Sequence, residues 1–342
     1  MYFLENYCCC GIGKIIIDIN FDISFQEDYC CVDGMTGGWL LAFAAVVVVG
    51  MFVVITVMAQ TDQTVQTLID LALAEDIGTG DVTSQYFIPE ERQARAFVTV
   101  RTPGVLSGVD VAARVFHTVD PTLHIEVMVA DGSQVAEGAM VLKVEGIARS
   151  VLTAERTALN FLQNLSGIAS LTAKYIEQTR GTACKILDTR KTLPAYRTLA
   201  KQAVVHGGGS NHRMGLYDRA MVKDNHLVSE GGLDALQVAI TRLKHDHPDV
   251  DVELEADSPA QVRDFLTLEG VNYLLLDNMT PEELRESVDA RGSERKPMLE
   301  ASGGVTLDRI ADIAATGVDF ISVGALTHSA PALDIGLDFH PV

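Results

Sequence analysis

Six short apolar runs, each ending in a polar residue or a glycine, recur along the second half of the chain. In order they read CKILDTRK, RAMVKDNH, VDVELEAD, NYLLLDN, PMLEASGG and DFISVGA. Helical apolar patterns separate most of them, at 231–245, 258–268, 281–290 and 307–316. Strands that alternate with helices in this way form parallel βα units. Because six units are fewer than the eight of a complete barrel, the pattern predicts an incomplete α/β barrel. An open doubly wound sheet is the main alternative, but no glycine-rich dinucleotide turn follows the first run.

The region before these units has a different spacing of apolar residues. Apolar residues from 65 to 73 fall on one helical face, and Gly78 and Gly80 close that helix. From 94 to 145 short alternating stretches separated by glycine turns predict a small, mostly antiparallel sheet. Residues 150–179 return to helical spacing, and we expect Gly167 to divide this stretch into two helices.

Residues 1–61 form an N-terminal extension of another composition. The stretch 39–59 holds 21 uncharged residues, enough to cross the hydrocarbon core of a bilayer. Its flanks offer no orienting charge, because Lys14 is the one basic residue before it and Arg92 is the next after it. Two interpretations stay open. Either the chain is translated from Met58 or Met35 and is cytoplasmic, the upstream stretch being a gene-model artefact, or 39–59 is a membrane anchor.

Composition limits the function classes. The net charge of −20 argues against a general nucleic-acid surface, which needs Lys and Arg to neutralise phosphates. Five of the six cysteines lie in the first 31 residues, so the main body, with Cys184 alone, suits a reducing compartment. The segment 185–226 reverses the acidity, because it holds eight Lys or Arg and three Asp. Such a local excess of positive charge attracts a small polyanion.

Ionisable or small residues stand where the apolar runs end, and barrels carry their active sites at the carboxyl ends of the strands. These candidates are Asp188, Arg190, Lys191, Lys223, Asp224, Glu255, Asp277, Ser302, Gly303 and Gly324. The acids Glu255 and Asp277, on neighbouring strands, suit ribose hydroxyls or a Mg²⁺ carried by a phosphate ligand. A salt bridge to nearby Lys or Arg is the alternative for them. The turns at 301–305 and 322–326 lie one βα unit apart, where barrels bind phosphate through backbone N–H groups.

Eight segments of the chain closely resemble the quinolinate phosphoribosyltransferase family. They are EDIGTGDVTS (75–84), TAERTALNFLQNLSGIA (153–169), KILDTRKTLP (185–194), GGGSNHRMGLYDRAMVKDNH (207–226), VELEADS (252–258), LLLDN (274–278), ASGGV (301–305) and VGALTHS (323–329). The resemblance runs from about residue 62 to the end and does not cover 1–57. It implies an α/β fold with a small α/β sandwich domain at 62–170 and an incomplete, TIM-like α/β barrel at 171–330. It further implies a C-terminal tail at 331–342 that returns toward the first domain, and a homodimer or a multiple of dimers.

The resemblance also implies an activity. The family makes nicotinate mononucleotide from quinolinate and phosphoribosyl pyrophosphate in NAD biosynthesis, and releases pyrophosphate and CO₂. The implied mechanism is attack of the pyridine nitrogen on the ribose anomeric carbon. Mg²⁺, bound with phosphoribosyl pyrophosphate, and basic residues stabilise the departing pyrophosphate. The new pyridinium then accepts the electrons left by the adjacent carboxylate, so no protein nucleophile is required.

Family roles transfer to this chain motif by motif. The implied quinolinate-binding residues are Arg156, Arg190, Lys191, His212, Arg213 and Lys223. Arginine forks bind carboxylates bidentately, and quinolinate has two carboxylates. The resemblance implies that Arg156 reaches in from the partner subunit. Glu255 and Asp277 resemble the ribose and Mg²⁺ carboxylates, and with Lys191 and Lys223 they are the expected catalytic set. The implied 5-phosphate cradle consists of Ser302, Gly303, Gly324 and Ala325.

Two other functions stay open. A nicotinate phosphoribosyltransferase that does not decarboxylate would need a site for one carboxylate, and the surplus of arginines argues against it. A membrane-anchored ligand-binding protein that has lost its chemistry is the second, and the intact residues Lys191, Lys223, Glu255 and Asp277 argue against that loss.

Overall fold

The computed structural model describes residues 2–8, 11–17, 23–25, 62–223, 232–294 and 296–341. Contacts divide the chain into two units, Met1–Asp62 and Gln63–Val342. The first unit has an antiparallel sheet of β1 (Tyr2–Cys8), β2 (Gly11–Ile17) and β3 (Ile23–Phe25), in that order. The apolar segment 39–59 lies outside the described residues. Among the helices that are described, none is both long enough and apolar enough to cross a membrane.

The second unit begins with helices packed on an antiparallel sheet. Its elements are α1 (62–77), α2 (Val82–Phe87), β4 (Gln93–Val100), β5 (Gly104–Val105), α3 (Val109–Val119), β6 (His124–Val127), β7 (Gln134–Val135), β8 (Met140–Ile147) and α4 (Ala148–Gln178). The last strand of the chain, β15 (Ile335–Pro341), pairs antiparallel with β4 and completes a sheet in the order β15-β4-β8-β6. The predicted first helix and small antiparallel sheet are therefore confirmed.

Helix α3 lies within the region where the sequence predicted only strands. Asp131 accepts a hydrogen bond from the main-chain N–H of Val109 at 2.9 Å, from 22 residues downstream. Val111 and Val115, four residues apart, are buried on one face of the helix. Because the carboxylate that satisfies the helix start comes from a distant loop, the local sequence lacks the usual N-cap signal.

Helix α4 is continuous, so the predicted break at Gly167 is wrong. A Cβ on this glycine would lie 2.2 Å from the carbonyl oxygen of Pro331. Gly167 therefore serves close approach of another backbone and does not interrupt the helix. Nearby, the Gln163 side chain donates to the carbonyl of Ile335 at 2.6 Å, so α4 also holds the start of β15.

The remainder of the second unit consists of parallel βα units. Its elements are β9 (Lys185–Leu187), α5 (Arg197–His206), β10 (Arg219–Val222), α6 (Gly232–Asp246), β11 (Asp251–Ala256), α7 (Pro259–Phe265), β12 (Tyr273–Asp277), α8 (Pro281–Arg291), β13 (Met298–Ser302), α9 (Ile310–Ala314), β14 (Phe320–Ser322) and α10 (Ala325–His328). The six strands form one parallel sheet in the order β10-β11-β12-β13-β14-β9. This architecture confirms the predicted incomplete α/β barrel.

Local sequence signals start the barrel helices. At α8, Thr280 accepts from the N–H of Glu283 at 3.3 Å, and the Glu283 carboxylate accepts from the N–H of Thr280 at 2.8 Å. Pro281 occupies the first helical position, where its missing N–H is not needed. This capping box fixes the start of α8 directly after the loop that follows β12.

Strand alternation separates the core from the site. Along β11, Val252, Leu254 and Ala256 belong to the apolar core. Glu253 and Glu255 alternate with them and therefore point to the opposite face, inside the barrel. The barrel interior thus carries charged side chains close to the strand ends.

Candidate active site

The two predicted acids lie on the same face of adjacent strands. Asp277 at the end of β12 is the register partner of Ser302 at the end of β13. Glu255 on β11 is the register partner of Leu275, two residues before Asp277. Side chains two residues apart on a strand share a face, so Glu255 and Asp277 point to the same side of the sheet.

A buried ion pair shapes the edge beside β9. Asp188 pairs with Lys201 of α5, and the two side chains are 0% and 3% exposed. Asp188 accepts the main-chain N–H of His212 at 2.9 Å, and Lys201 donates to the carbonyl of His212 at 2.8 Å. With its amide nitrogen turned inward, Asn211 donates to Asp188 at 2.6 Å. Burial raises the pKa of Asp188 and lowers that of Lys201, so each ion needs the other to stay charged.

Arg190 and Arg213 form a cationic face on the two loops that this pair fixes. Burial, and next the guanidinium of Arg190, lower the pKa of Arg213, so the two cations oppose each other. Arg213 is held by a hydrogen bond to the carbonyl of Arg219 at 3.0 Å. Arg197 donates to the carbonyls of Met214 at 2.9 Å and Arg190 at 3.3 Å, which ties the loops together. An anion bound here would relieve the repulsion between the guanidinium groups.

Lys191 lies between the loops of the first and last barrel strands. The hydroxyl of Thr327 donates to the carbonyl of Lys191 at 2.8 Å. A Cβ on Gly324 would lie 3.1 Å from both Lys191 Cδ and His328 Nε2, so the glycine leaves room for the lysine stem. Gly324 caps α10, and Ala325 is the first residue of that helix. Of the predicted phosphate-binding residues, Gly324 therefore adjoins Lys191, and Ala325 follows it at the start of α10.

The acids at the edge have partners of their own. Lys223 and Glu255 form an ion pair, which is the alternative that the sequence left open for this acid. Asn278 donates to Asp277 Oδ2 at 2.7 Å. Together the carboxylates offer the hard oxygen donors that Mg²⁺ prefers. Asp224, which follows Lys223, lies outside the described residues.

Gly303 is required by its surroundings. Its φ of 90° is left-handed, and a Cβ there would lie 2.2 Å from Asn278 Oδ1. The N–H of Asn278 donates to the carbonyl of Ser302 at 2.9 Å, and the hydroxyl of Ser322 donates to Ser302 Oγ at 2.9 Å. Hydrogen bonds to Asn278 after β12 and to Ser322 of β14 thus hold the turn after β13, and the missing Cβ of Gly303 leaves room for the Asn278 side chain.

His212 faces two further acids inside the barrel. Its Nε2 lies 3.3 Å from Glu253 Oε2 and 3.4 Å from Glu300 Oε2. Burial lowers the pKa of His212 and the two glutamates raise it. Because Nδ1 accepts the main-chain N–H of Arg213, the ring is the neutral form with its proton on Nε2. Burial also raises the pKa of Glu300. The ring is therefore held by the barrel interior and not by the open edge.

Two family models cover most of the second unit. The model for the quinolinate phosphoribosyl transferase N-terminal domain matches residues 81–166, and that for its C-terminal domain matches residues 168–338. The chain belongs to the quinolinate phosphoribosyltransferase family.

Members of this family from distant organisms resemble the chain along most of their length. Over 273 residues it is 43% identical to the nicotinate-nucleotide pyrophosphorylase [carboxylating] of Mycobacterium leprae, covering 78% of this chain and 94% of that protein. Over 286 residues it is 42% identical to the chloroplastic protein of the same name from Arabidopsis thaliana, covering 79% and 81%. The structure of the nicotinate-nucleotide pyrophosphorylase from Francisella tularensis is 38% identical, with a TM-score of 0.75 and coverage of 81% and 96%.

Arg156 stands apart from the other residues that resemble the phosphoribosyltransferase pattern. It is exposed on α4, and among the described residues no hydrogen bond or ion pair links it to the strand ends. The hydroxyl of Thr153 donates to Asp81 at 3.1 Å, and that of Thr157 donates to Asp76 at 3.4 Å. The EDIGTGD motif is therefore anchored on α4 to either side of Arg156.

Sequence analysis of this family member missed Glu253, Glu300 and Arg197. Glu253 precedes Glu255 by two residues, and Glu300 precedes Ser302 by two. Residues two apart on a strand point to the same face, so strand alternation alone would have predicted that both glutamates point into the barrel. Arg197 had no such signal, because its role depends on two loops that come together in the fold.

Proposed function

We propose that this protein transfers the phosphoribosyl group of phosphoribosyl pyrophosphate to quinolinate and releases pyrophosphate and CO₂. The product is nicotinate mononucleotide, a precursor of NAD. The observation that carries the proposal is one barrel edge with Arg190 and Arg213 on one side and Glu255 and Asp277 on the other. The names of the relatives, nicotinate-nucleotide pyrophosphorylase [carboxylating], support the same reaction.

Quinolinate binds through the cationic side of the edge. Its two carboxylates need two sets of donors, and guanidinium groups bind carboxylates in a bidentate manner. Arg190 and Arg213 supply these donors, and Lys191 and Lys223 add positive charge on the neighbouring loops. His212 is also part of the quinolinate-binding residues. Its main chain is fixed by Asp188 and Lys201, and its ring lies against Glu253 in the barrel interior.

Phosphoribosyl pyrophosphate binds along the acidic side. Its 5-phosphate lies over the turns of Ser302, Gly303, Gly324 and Ala325, where glycine lets the backbone N–H groups come close. Glu255 and Asp277 face the ribose hydroxyls and would hold Mg²⁺, because carboxylate oxygens on adjacent strands are a suitable donor set. When bound, Mg²⁺ neutralises negative charge on the pyrophosphate leaving group.

The chain's own residues orient and stabilise the reaction. The pyridine nitrogen forms a bond to the anomeric carbon while the bond from that carbon to pyrophosphate breaks. Glu255 and Asp277 lie toward the ribose as positive charge develops on it, and Lys191 and Lys223 lie toward the groups that carry negative charge. The bond to the adjacent carboxylate then breaks, its electron pair enters the pyridinium ring, and a proton replaces CO₂ at that carbon.

We also propose a homodimer in which Arg156 completes the partner's site. On α2 the side chains of Tyr86 and Phe87 are 82% and 80% exposed, which is unusual for neighbouring large aromatic residues. Arg149 of α4 donates to the carbonyl of Ile88 at 2.8 Å, so this surface is joined to the helix that carries Arg156. A second copy that covers the aromatic pair would meet Arg156 at the same time.

A reducing, cytoplasmic setting fits the second unit. Cys184, which immediately precedes β9, is a buried free thiol, and the unit holds no other cysteine. Localisation of the full chain by fractionation would test this, and recovery in the membrane fraction would contradict it.

The first experiment offers the protein quinolinate, nicotinate and nicotinamide in turn, each with phosphoribosyl pyrophosphate and Mg²⁺. We expect nicotinate mononucleotide from quinolinate alone, with one CO₂ released for each pyrophosphate. Turnover of nicotinate without turnover of quinolinate would instead support the non-decarboxylating phosphoribosyltransferase.

The second experiment separates the two sides of the edge. Asp277→Asn should raise KM for phosphoribosyl pyrophosphate and leave quinolinate affinity, measured by calorimetry, within several-fold of wild type. Asp289→Asn is a matched control, because Asp289 is exposed on α8. A collapse of quinolinate affinity in Asp277→Asn with normal binding of the cosubstrate would contradict the assignment.

The third experiment tests the exchange of Arg156. Arg156→Ala and Arg190→Ala should each be inactive, but a co-refolded mixture should regain about a quarter of wild-type activity. Half of randomly mixed dimers are heterodimers, and each has one intact site of two. No activity above that of either parent would mean that Arg156 acts within its own chain or has no role.

A further inference from the structure

Two glutamates lie one layer inside the barrel from the active edge. Glu253 and Glu300 each precede an edge residue by two positions on their strands, and both are 0% exposed. Both approach the Nε2 atom of His212, at 3.3 Å and 3.4 Å. Arg219 reaches Glu253 at 3.6 Å and lies over the Tyr273 ring, 4.0 Å from its centroid.

Buried charged groups such as these contribute little to the free energy of unfolding. A buried ionic group is often no better for stability than apolar residues of the same volume. In addition, six of the nine buried side-chain polar atoms without a close hydrogen bond in the described residues belong to His212, Glu253, Glu300 and Arg219. Native proteins keep few such atoms, so their concentration at one place calls for a functional reason.

The His212 ring has a hydrogen bond at one nitrogen, Nδ1, and charged neighbours at the other, Nε2. On the side away from the glutamates, Nδ1 accepts the main-chain N–H of Arg213 at 2.6 Å. The orientation of the ring therefore determines where the Arg213 backbone lies. Arg213 in turn stands beside Arg190 in the cationic face.

We propose that Glu253 and Glu300 are positioning residues for quinolinate binding: they hold the His212 ring, and the ring holds the Arg213 main chain. This role rests on the proposed function, since it requires that quinolinate binds at this edge. Neither glutamate touches the substrate, and both act from behind the residues that do.

The two glutamates have different roles. Arg219 pairs with Glu253, so Glu253 carries a compensated negative charge. Among the described residues no Lys or Arg forms an ion pair with Glu300. An amide can therefore replace the Glu300 carboxyl and still meet Nε2. The same change at Glu253 leaves the largely buried guanidinium of Arg219, 15% exposed, without its counter-ion.

A metal ion is the competing explanation for the cluster. The ligand atoms of His212, Glu253 and Glu300 lie within 4.8 Å of one another. However, the guanidinium of Arg219 already supplies positive charge beside Glu253, and a metal would have to share that space. Elemental analysis of the purified protein distinguishes the two explanations.

The test uses four variants of the full chain: Glu300→Gln, Glu300→Ala, Glu253→Gln and the exposed control Glu286→Gln. We expect Glu300→Gln and the control to keep KM for quinolinate within about threefold of wild type. Glu300→Ala removes a neighbour of the His212 ring, and Glu253→Gln removes the counter-ion of Arg219. Each should raise KM for quinolinate about tenfold, with KM for phosphoribosyl pyrophosphate unchanged. Rescue by glutamine at position 300 but not at 253 is the signature of positioning.

A second readout does not depend on turnover. Nitrogen-15 spectra of labelled histidine, assigned with His212→Asn, report the protonation and tautomer of the His212 ring. The His212 signals should stay near the wild-type positions in Glu300→Gln and move in Glu300→Ala and Glu253→Gln. If the wild-type protein does not turn over quinolinate, the proposed function is wrong. The spectra then still test whether Glu253 and Glu300 fix the His212 ring.

Three results would overturn the positioning role. Equal effects of both glutamine variants would remove the asymmetry that Arg219 imposes. Unchanged His212 signals in every variant would show that the glutamates do not hold the ring. A stoichiometric metal lost in Glu300→Ala would make the cluster a metal site. Should Glu300→Ala fail to fold, the contrast between the two near-isosteric glutamine variants still decides.

Discussion

Asp188→Ala is expected to destabilise the second unit strongly, because it leaves Lys201 buried without a counter-ion. Lys201 is 2% exposed and would keep only the carbonyl of His212, at 2.8 Å. The Lys201 ammonium group can avoid being a buried, unpaired charge by releasing its proton. From an ordinary pKa of about 10.4, this costs about 5 kcal/mol at about pH 7. That value is a ceiling, and removal of one partner of a buried pair commonly costs about 3–5 kcal/mol.

The sign of the pH dependence follows from the direction of the pKa shift. Burial lowers the pKa of Lys201, and without Asp188 nothing opposes this effect except the His212 carbonyl and more distant charges. Between that lowered value and about pH 10, the unfolded chain binds one proton more than the native variant. The free energy of unfolding of Asp188→Ala should therefore rise with pH, relative to wild type, by up to about 1.4 kcal/mol per unit.

Urea unfolding followed by circular dichroism at several pH values from about 7 to about 9.5 measures this deficit. The control is Glu286→Ala, which removes one partner of the exposed pair with Arg263 and should cost less than about 1 kcal/mol. The double variant Asp188→Leu with Lys201→Met should recover much of the loss, because apolar side chains replace both ions. A deficit for Asp188→Ala below about 1 kcal/mol, or one that does not change with pH, would refute the reasoning.

Three further predictions concern close approaches and burial. Gly167→Ala should lower the free energy of unfolding by about 1–3 kcal/mol in urea titrations, although alanine favours helices, because its Cβ would meet the Pro331 carbonyl at 2.2 Å. Gly303→Ala should raise KM for phosphoribosyl pyrophosphate more than KM for quinolinate, since φ is 90° and the Cβ would strike Asn278; equal effects on both substrates would contradict this. Cys184 should stay unmodified when the native protein meets iodoacetamide at about pH 8, because burial raises its pKa to about 12; mass spectrometry of its peptide checks this.

Sequence analysis predicted the barrel well because the strands of a parallel sheet are buried on both faces and therefore appear in the sequence as continuous apolar runs. It also predicted the neighbouring acids Glu255 and Asp277, since the ends of successive strands meet at one edge. It failed where the determining partner is distant along the chain. A glycine within a helical pattern can indicate a helix break. Gly167 instead lies inside the continuous helix α4, where the close Pro331 carbonyl requires a residue without a Cβ. Helix α3 was missed for the same reason, because its cap comes from Asp131.

Pairing of β15 with β4 makes the first sheet of the second unit depend on a strand that is translated only after the whole barrel. Ile335 is the register partner of Val100, so the whole barrel is translated between the two strands. Until then β4 has an open hydrogen-bonding edge on one side, the kind of edge that recruits other chains. Such long-range pairing slows folding and prolongs that exposure. A ribosome-bound intermediate with a formed barrel and an unfinished sheet is therefore the stage at which this chain most needs protection from aggregation.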